Sequence, residues 1–89
     1  MKLIKRHRTF EKHFKLRISL HKKLVTQFEV RYVLFIQGER GYPIDDHPLT
    51  GKLTGKRAFS VAGDIRVVYE EQSDAIIFLD IGTHNQVYK

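Results

Sequence analysis

Hydrophobic residues recur along this chain at more than one spacing, and each spacing predicts a different element. Near the start, "KLIK" sets Leu3 and Ile4 between lysines, enough for a short strand. Phe10 and Phe14 follow four residues apart, which puts both rings on one face of a short helix. Thr9 precedes them as a helix cap, because its hydroxyl can accept a hydrogen bond from an unpaired first-turn amide. Ser19 offers a second cap. Behind it Leu24, Phe28, Tyr32, Phe35 and Ile36 form an apolar stripe, and Gly38 supplies a stop. Together these two segments predict a helical hairpin that lays one face on something flat.

From Gly38 to Gly55 the pattern dissolves into "GERGYPIDDHPLTGKLTG", whose four glycines and two prolines argue against a regular element. A loop of this length in a small domain is often functional. Beyond it the period becomes two: Phe59 and Val61, then Ile65, Val67 and Tyr69, then Ile77, Leu79 and Ile81. Gly63-Asp64 and "EQSD" provide turn chemistry, so the segment reads as a three-stranded antiparallel meander. Its helix-free face is expected to be open and polar, with Arg66 standing on it. The order β-α-α-β-β-β makes one two-layer α+β domain over residues 1–89. "IGTHNQVYK" then ends the last strand by presenting His84 and Tyr88 together.

Charge changes the picture. Lys and Arg exceed Asp and Glu by six, and residues 1–45 carry eleven basic against four acidic side chains. Such a balance points to a polyanion partner, either nucleic acid or an acidic protein. The chain has no cysteine, which removes disulfides and thiolate metal sites and fits a reducing cytosol. No apolar run is long enough to span a bilayer, and "MKLIKRHRTF" has no signal-peptide core behind it. The expectation is a protein neither secreted nor membrane-inserted.

Residues able to carry chemistry cluster at the loop and at strand ends. His7, His13 and His21 lie in the basic first third and read as surface. His47 precedes a proline in the long loop, and His84 follows the last apolar run. Imidazole suits proton transfer near neutral pH, so the pair could serve as base and acid, although each could equally cap a turn. Arg66, in mid-strand, has the guanidinium geometry to clamp a phosphate; Arg57 and Lys52 read first as solvated charges. Asp64 is explained by its turn. No metal-ligand spacing appears, "GKLTGKR" lacks the spacing of a triphosphate-binding loop, and no serine or cysteine triad is present.

Three blocks carry a family resemblance: "DHPLTGKLTGKRAFSV", "GDIRVVY" and "IGTHNQVY". In this order and spacing, over residues 45–88, the chain closely resembles RelE/YafQ-type toxins of bacterial toxin–antitoxin systems. The amino-terminal half agrees in pattern alone. The resemblance implies a RelE-like fold and an mRNA interferase that cuts mRNA in the ribosomal A site without metal or cofactor. In such enzymes the ribose 2′-hydroxyl attacks its own 3′ phosphate, leaving a 2′,3′-cyclic phosphate and a 5′-hydroxyl.

Carried over position by position, the YafQ-like pattern assigns His47, Asp64 and His84 to catalysis, with Tyr88 as a terminal aromatic against the substrate base. The RelE-like pattern adds Arg66 and Lys52 on the phosphate; Arg57 and Ser60 complete the substrate contacts. Ser60 is a departure, since YafQ-like toxins carry a histidine there, and serine cannot replace imidazole as a proton carrier. The resemblance therefore implies His84 as acid and leaves the base open between His47 and Asp64, with activity that could be reduced. It also implies a cognate acidic antitoxin, mRNA and ribosomal RNA as partners, operator DNA reached through the antitoxin alone, and a cytoplasmic location. ParE-like toxins, which share the fold and poison DNA gyrase by binding, are the alternative, as is an RNA-binding homologue with weakened catalysis.

Overall fold

The structure is a computed structural model that describes residues 2–88; Met1 and Lys89 lie outside the described residues. The chain runs β1 (Leu3–Arg6), α1 (Arg8–Arg17), α2 (Lys22–Ile36), β2 (His47–Pro48), a 3₁₀ turn at Gly51–Leu53, β3 (Arg57–Ala62), β4 (Ile65–Glu71), β5 (Ala75–Gly82) and α3 (His84–Val87). The strands form one five-stranded sheet in the order β1-β5-β4-β3-β2. The antiparallel meander is therefore its centre. It is widened by β1, parallel to β5 with Leu3 opposite Ala75, and by the two-residue β2 on β3.

The helix stripes pack as their spacing requires except at Ile36, which is exposed beside the buried Phe35. Phe10, Phe28 and Phe35 are buried and meet Phe59, Val67, Tyr69, Phe78 and Ile81 on one sheet face. Phe35 stacks on Phe59 at 4.7 Å and meets Tyr69 edge-on at 5.0 Å. Helix α2 begins with Lys22 and Lys23 and no side-chain cap, an unfavourable start for the helix dipole. Its stability must come from tertiary packing of the stripe. Its end is well made: Gly38, at φ +93°, donates its N–H to the Phe35 carbonyl, and the Glu39 N–H reaches the Leu34 carbonyl. That pair of hydrogen bonds is the Schellman arrangement, and glycine is favoured there by its left-handed backbone.

Both predicted caps are displaced. His7, not Thr9, precedes α1, and its Nδ1 accepts from the Thr9 amide at 3.0 Å. His21, not Ser19, precedes α2, while the Ser19 hydroxyl donates back to the Lys15 carbonyl. The period-two reading also slips on β5. Val68 pairs with Asp80 and Tyr69 with Phe78, so Leu79 is extra and the strand is bulged. Ile76, Phe78 and Ile81 consequently face the main core, whereas Leu79 joins Ala58, Val68 and Val87 on the other face. That other face is not open: α3 and Leu49 of the long loop cover part of it.

Candidate functional site

The long loop is more ordered than its glycines and prolines suggested. Ile44 is fully buried, the Ser60 amide donates to its carbonyl at 2.7 Å, and Arg31 Nη1 donates to the Pro43 and Ser60 carbonyls, both at 2.9 Å. Pairing of His47 with Ala58 then carries residue 47 along β3. Side chains alternate across a strand, so His47 shares the face of Ala58 and Val68, and Asp46 turns to the helix face. Asp45 adopts φ +50° immediately before them, a left-handed backbone that Asp tolerates better than most residues.

At the other end of the fold, "THNQ" starts a helical turn where strand exit was expected. Thr83 Oγ1 accepts from the Gln86 amide at 3.3 Å, and Gln86 Oε1 accepts from the Thr83 amide at 2.8 Å. This reciprocal capping box is a sequence pattern, Thr-x-x-Gln, that identifies the start of α3. Four residues apart on that turn, the rings of His84 and Tyr88 meet edge-on at 4.5 Å. They are adjacent for a helical reason.

The turn and the loop together enclose a cleft of about 520 Å³. Residues 47–53 line one side, including His47 and Lys52, and His84 and Tyr88 line the other. Asp64, on the β3–β4 turn, does not line the cleft; its Oδ2 accepts from the His84 amide at 3.3 Å. Arg66 stands on central β4, in register with Ser60 on one side and Gly82 on the other. Its Nε and the Tyr88 hydroxyl are both enclosed and have no hydrogen-bond partner among the described residues. Burial pushes the Tyr88 hydroxyl pKa up; Arg66 opposes that rise and Asp64 adds to it, so the electrostatic influence of both reaches the phenol.

Two expected substrate contacts are placed differently. Arg57 does not line the cleft: it shares the helix face with Tyr69, and its Nε donates to Asp46 Oδ1 at 2.6 Å. Ser60 does not line the cleft either, although its register places it beside Arg66; its Oγ lies 3.5 Å from Arg31 Nη1. Pro48, Leu49, Thr50, Gly51 and Leu53 are cleft residues that single-residue reasoning passed over. Their signal was the loop itself.

The family described as bacterial toxin of type II toxin–antitoxin system, YafQ, matches residues 2–89. The chain belongs to the YafQ toxin family. Among solved structures, YafQ from E. coli strain BL21(DE3) is similar with a TM-score of 0.83 at 24% identity, covering 100% of both chains. YafQ of the E. coli DinJ–YafQ complex gives 0.81 at 25% identity, again over 100% of both. A metal-bound toxin from Helicobacter pylori gives 0.75 at 23%, covering 98% of this chain and 99% of that one. No curated protein sequence matches the chain. The α+β, RelE-like fold expected from the sequence stands, and the chain is a toxin of a type II toxin–antitoxin system.

In this YafQ-family toxin one hydrogen bond sets the tautomer of a cleft imidazole. His47 Nδ1 lies 2.9 Å from the Asp45 carbonyl, which can only accept. Nδ1 therefore carries the proton, and in the neutral ring Nε2 keeps its lone pair as an acceptor. Lys52 and Tyr88 line the cleft and Arg66 does not; Arg66 Nε and the Tyr88 hydroxyl are enclosed donors without a partner among the described residues. Among the described residues there is no group of three or more His, Asp or Glu side chains that could hold a metal, and no helix long and apolar enough to cross a membrane.

Proposed function

We propose that this toxin is an endoribonuclease, an mRNA interferase that cleaves mRNA on the ribosome and thereby inhibits translation. The observation that carries this reading is the cleft itself: an imidazole poised to accept a proton at Nε2, a second imidazole on the facing side, and enclosed cationic and phenolic donors nearby. His47 takes the proton of the ribose 2′-hydroxyl as the oxygen attacks the adjacent phosphorus. Lys52 and Arg66 stabilise the negative charge that accumulates on the pentacovalent phosphate, where fixed donors act most strongly. Protonated His84 gives its proton to the departing 5′-oxygen. The products are a 2′,3′-cyclic phosphate and a 5′-hydroxyl, and the steps use side chains alone.

Asp64, bonded to the His84 amide, fixes where α3 begins and is the less suitable base, because its exposed carboxylate already accepts that N–H. Tyr88 orients the base or ribose against its ring. Basic residues of the first half contact ribosomal RNA phosphates, and a cognate acidic antitoxin masks the same charge; support for an antitoxin partner comes from the E. coli DinJ–YafQ toxin–antitoxin complex. Operator DNA is met through that antitoxin, and the toxin works in the cytoplasm as one domain.

The test is cell-free translation of a defined mRNA with wild type beside His84→Ala, with the RNA ends mapped, with and without a chelator. Cuts within codons that end in 2′,3′-cyclic phosphate, persist in chelator and fall by about 10²–10⁴-fold in the variant are expected. Intact mRNA with wild-type toxin would overturn the nuclease reading, and gyrase supercoiling would be assayed next.

A further inference from the structure

The Asp46 carboxylate is fully enclosed, and it is held by more groups than a loop residue needs. Arg57 Nε donates to Oδ1 at 2.6 Å, Tyr69 Oη donates to Oδ2, and Arg40 Nε lies 3.9 Å away from Oδ2. The Asp46 amide also donates to the Arg40 carbonyl at 2.8 Å. Tyr69 is itself fixed, fully buried against Phe35 and Phe59. Burying a carboxylate is costly and pairing offsets that cost, so only replacing Asp46 together with Arg57 and Tyr69 by well-packed apolar residues would anchor the loop without loss of stability. What the carboxylate adds is direction, since both of its oxygens are claimed by donors on β3 and β4.

We infer that Asp46 is a positioning residue for His47, locking through Arg57 and Tyr69 the one-residue alternation that aims the imidazole into the cleft. The proposal rests on the nuclease reading of that cleft and adds to it a device on the opposite sheet face. Three consecutive residues divide the task. Asp45 turns its carbonyl, from a left-handed backbone, onto His47 Nδ1. Asp46 pins the backbone from below. His47, in register with Ala58, lines the cleft above, its Nδ1 bonded to Asp45 and its Nε2 without a hydrogen bond among the described residues. Arg57 accordingly acts through Asp46, not on the substrate.

The test compares Asp46→Asn and Tyr69→Phe with wild type by two readouts. The first is nitrogen NMR of the His47 ring, which reports the tautomer without any substrate. The second is the kcat and KM of RNA cleavage. Asparagine keeps the shape but not the charge that holds Arg57; phenylalanine keeps the ring volume and removes one donor. The expected result is loss of the single Nδ1–H tautomer, with kcat down about 10²-fold in Asp46→Asn for a displacement near 1 Å. KM should change by less than about 3-fold, the pattern of a lost transition-state interaction.

Tyr69→Phe should move both readouts the same way by a smaller factor, and it serves alone if Asp46→Asn does not fold. An unchanged His47 tautomer in the folded variants overturns the proposal, as does a raised KM at constant kcat. If wild type cuts no RNA the nuclease reading fails, while the tautomer measurement still decides whether Asp46 positions His47.

Discussion

Gly82→Ala is the substitution whose consequence the geometry specifies most fully. Gly82 is buried at the end of β5, opposite Arg66, and its backbone lies outside the left-handed region, so alanine's backbone conformation is allowed there. The surroundings object. A Cβ there would stand 2.6 Å from Arg17 Nη1, 2.6 Å from Gln86 Oε1 and 3.1 Å from Gln86 Cβ. Both nearest atoms are ends of flexible side chains, which withdraw more readily than backbone. Withdrawal breaks the Arg17 bond to the Ile81 carbonyl, now 2.9 Å, and the Gln86 half of the capping box, now 2.8 Å.

A partly exposed Arg–carbonyl bond and one capping bond are each worth about 1 kcal/mol. Alanine returns about 0.4–1 kcal/mol by restricting the unfolded chain. The net loss is therefore about 1–1.6 kcal/mol, or roughly 4–13 °C in the melting midpoint of a chain this short. Urea denaturation followed by circular dichroism measures it, with Gly41→Ala as control, because a Cβ at Gly41 meets nothing within 4 Å. Loosening α3 also unseats His84 and Tyr88, so RNA cleavage should fall in the fraction that remains folded. A Gly82→Ala protein as stable as wild type would refute the account of how α1, β5 and α3 are joined.

Two further outcomes follow from the enclosed phenols. Tyr88→Phe removes a hydroxyl that has no partner among the described residues, so stability should hold or rise by up to about 1 kcal/mol while RNA cleavage drops; a destabilised variant would show that the hydroxyl serves the fold. Tyr69 has its pKa raised, first by burial and then by its hydrogen bond to Asp46, so the folded state favours the neutral phenol. Its contribution is whole below the ordinary tyrosine value of about 10 and is lost as pH rises above it. Melting midpoints measured from about pH 8 to about pH 11 should fall in wild type and fall less in Tyr69→Phe; parallel curves would contradict the coupling.

Much of the helical layer could be read directly from the order of residues. The stripe from Leu24 to Ile36 and the stop at Gly38 depend on neighbours three to six positions apart, and their chemistry is complete within that span. The turn at Gly63-Asp64 is local in the same way. The capping box of Thr83 and Gln86 is equally local, but the apolar run of β5 directly before it has the pattern of a strand continuing past Gly82. Candidate chemistry was legible as residue types and, through family resemblance, as positions.

What no local pattern contained was company. His47 and His84 stand thirty-seven residues apart, and they meet across one cleft because β2 pairs with β3 while α3 folds back over β4 and β5. Arg57 looked like a free cation; the register that places it beside Tyr69 also places both against Asp46. The bulge at Leu79 shifts the whole inward set of β5, and the parallel pairing of β1 with β5 joins residues seventy-two apart. Such features are decided by strand register and by which buried polar groups find partners. Those are properties of the folded sheet, to which each segment contributes an edge it cannot see.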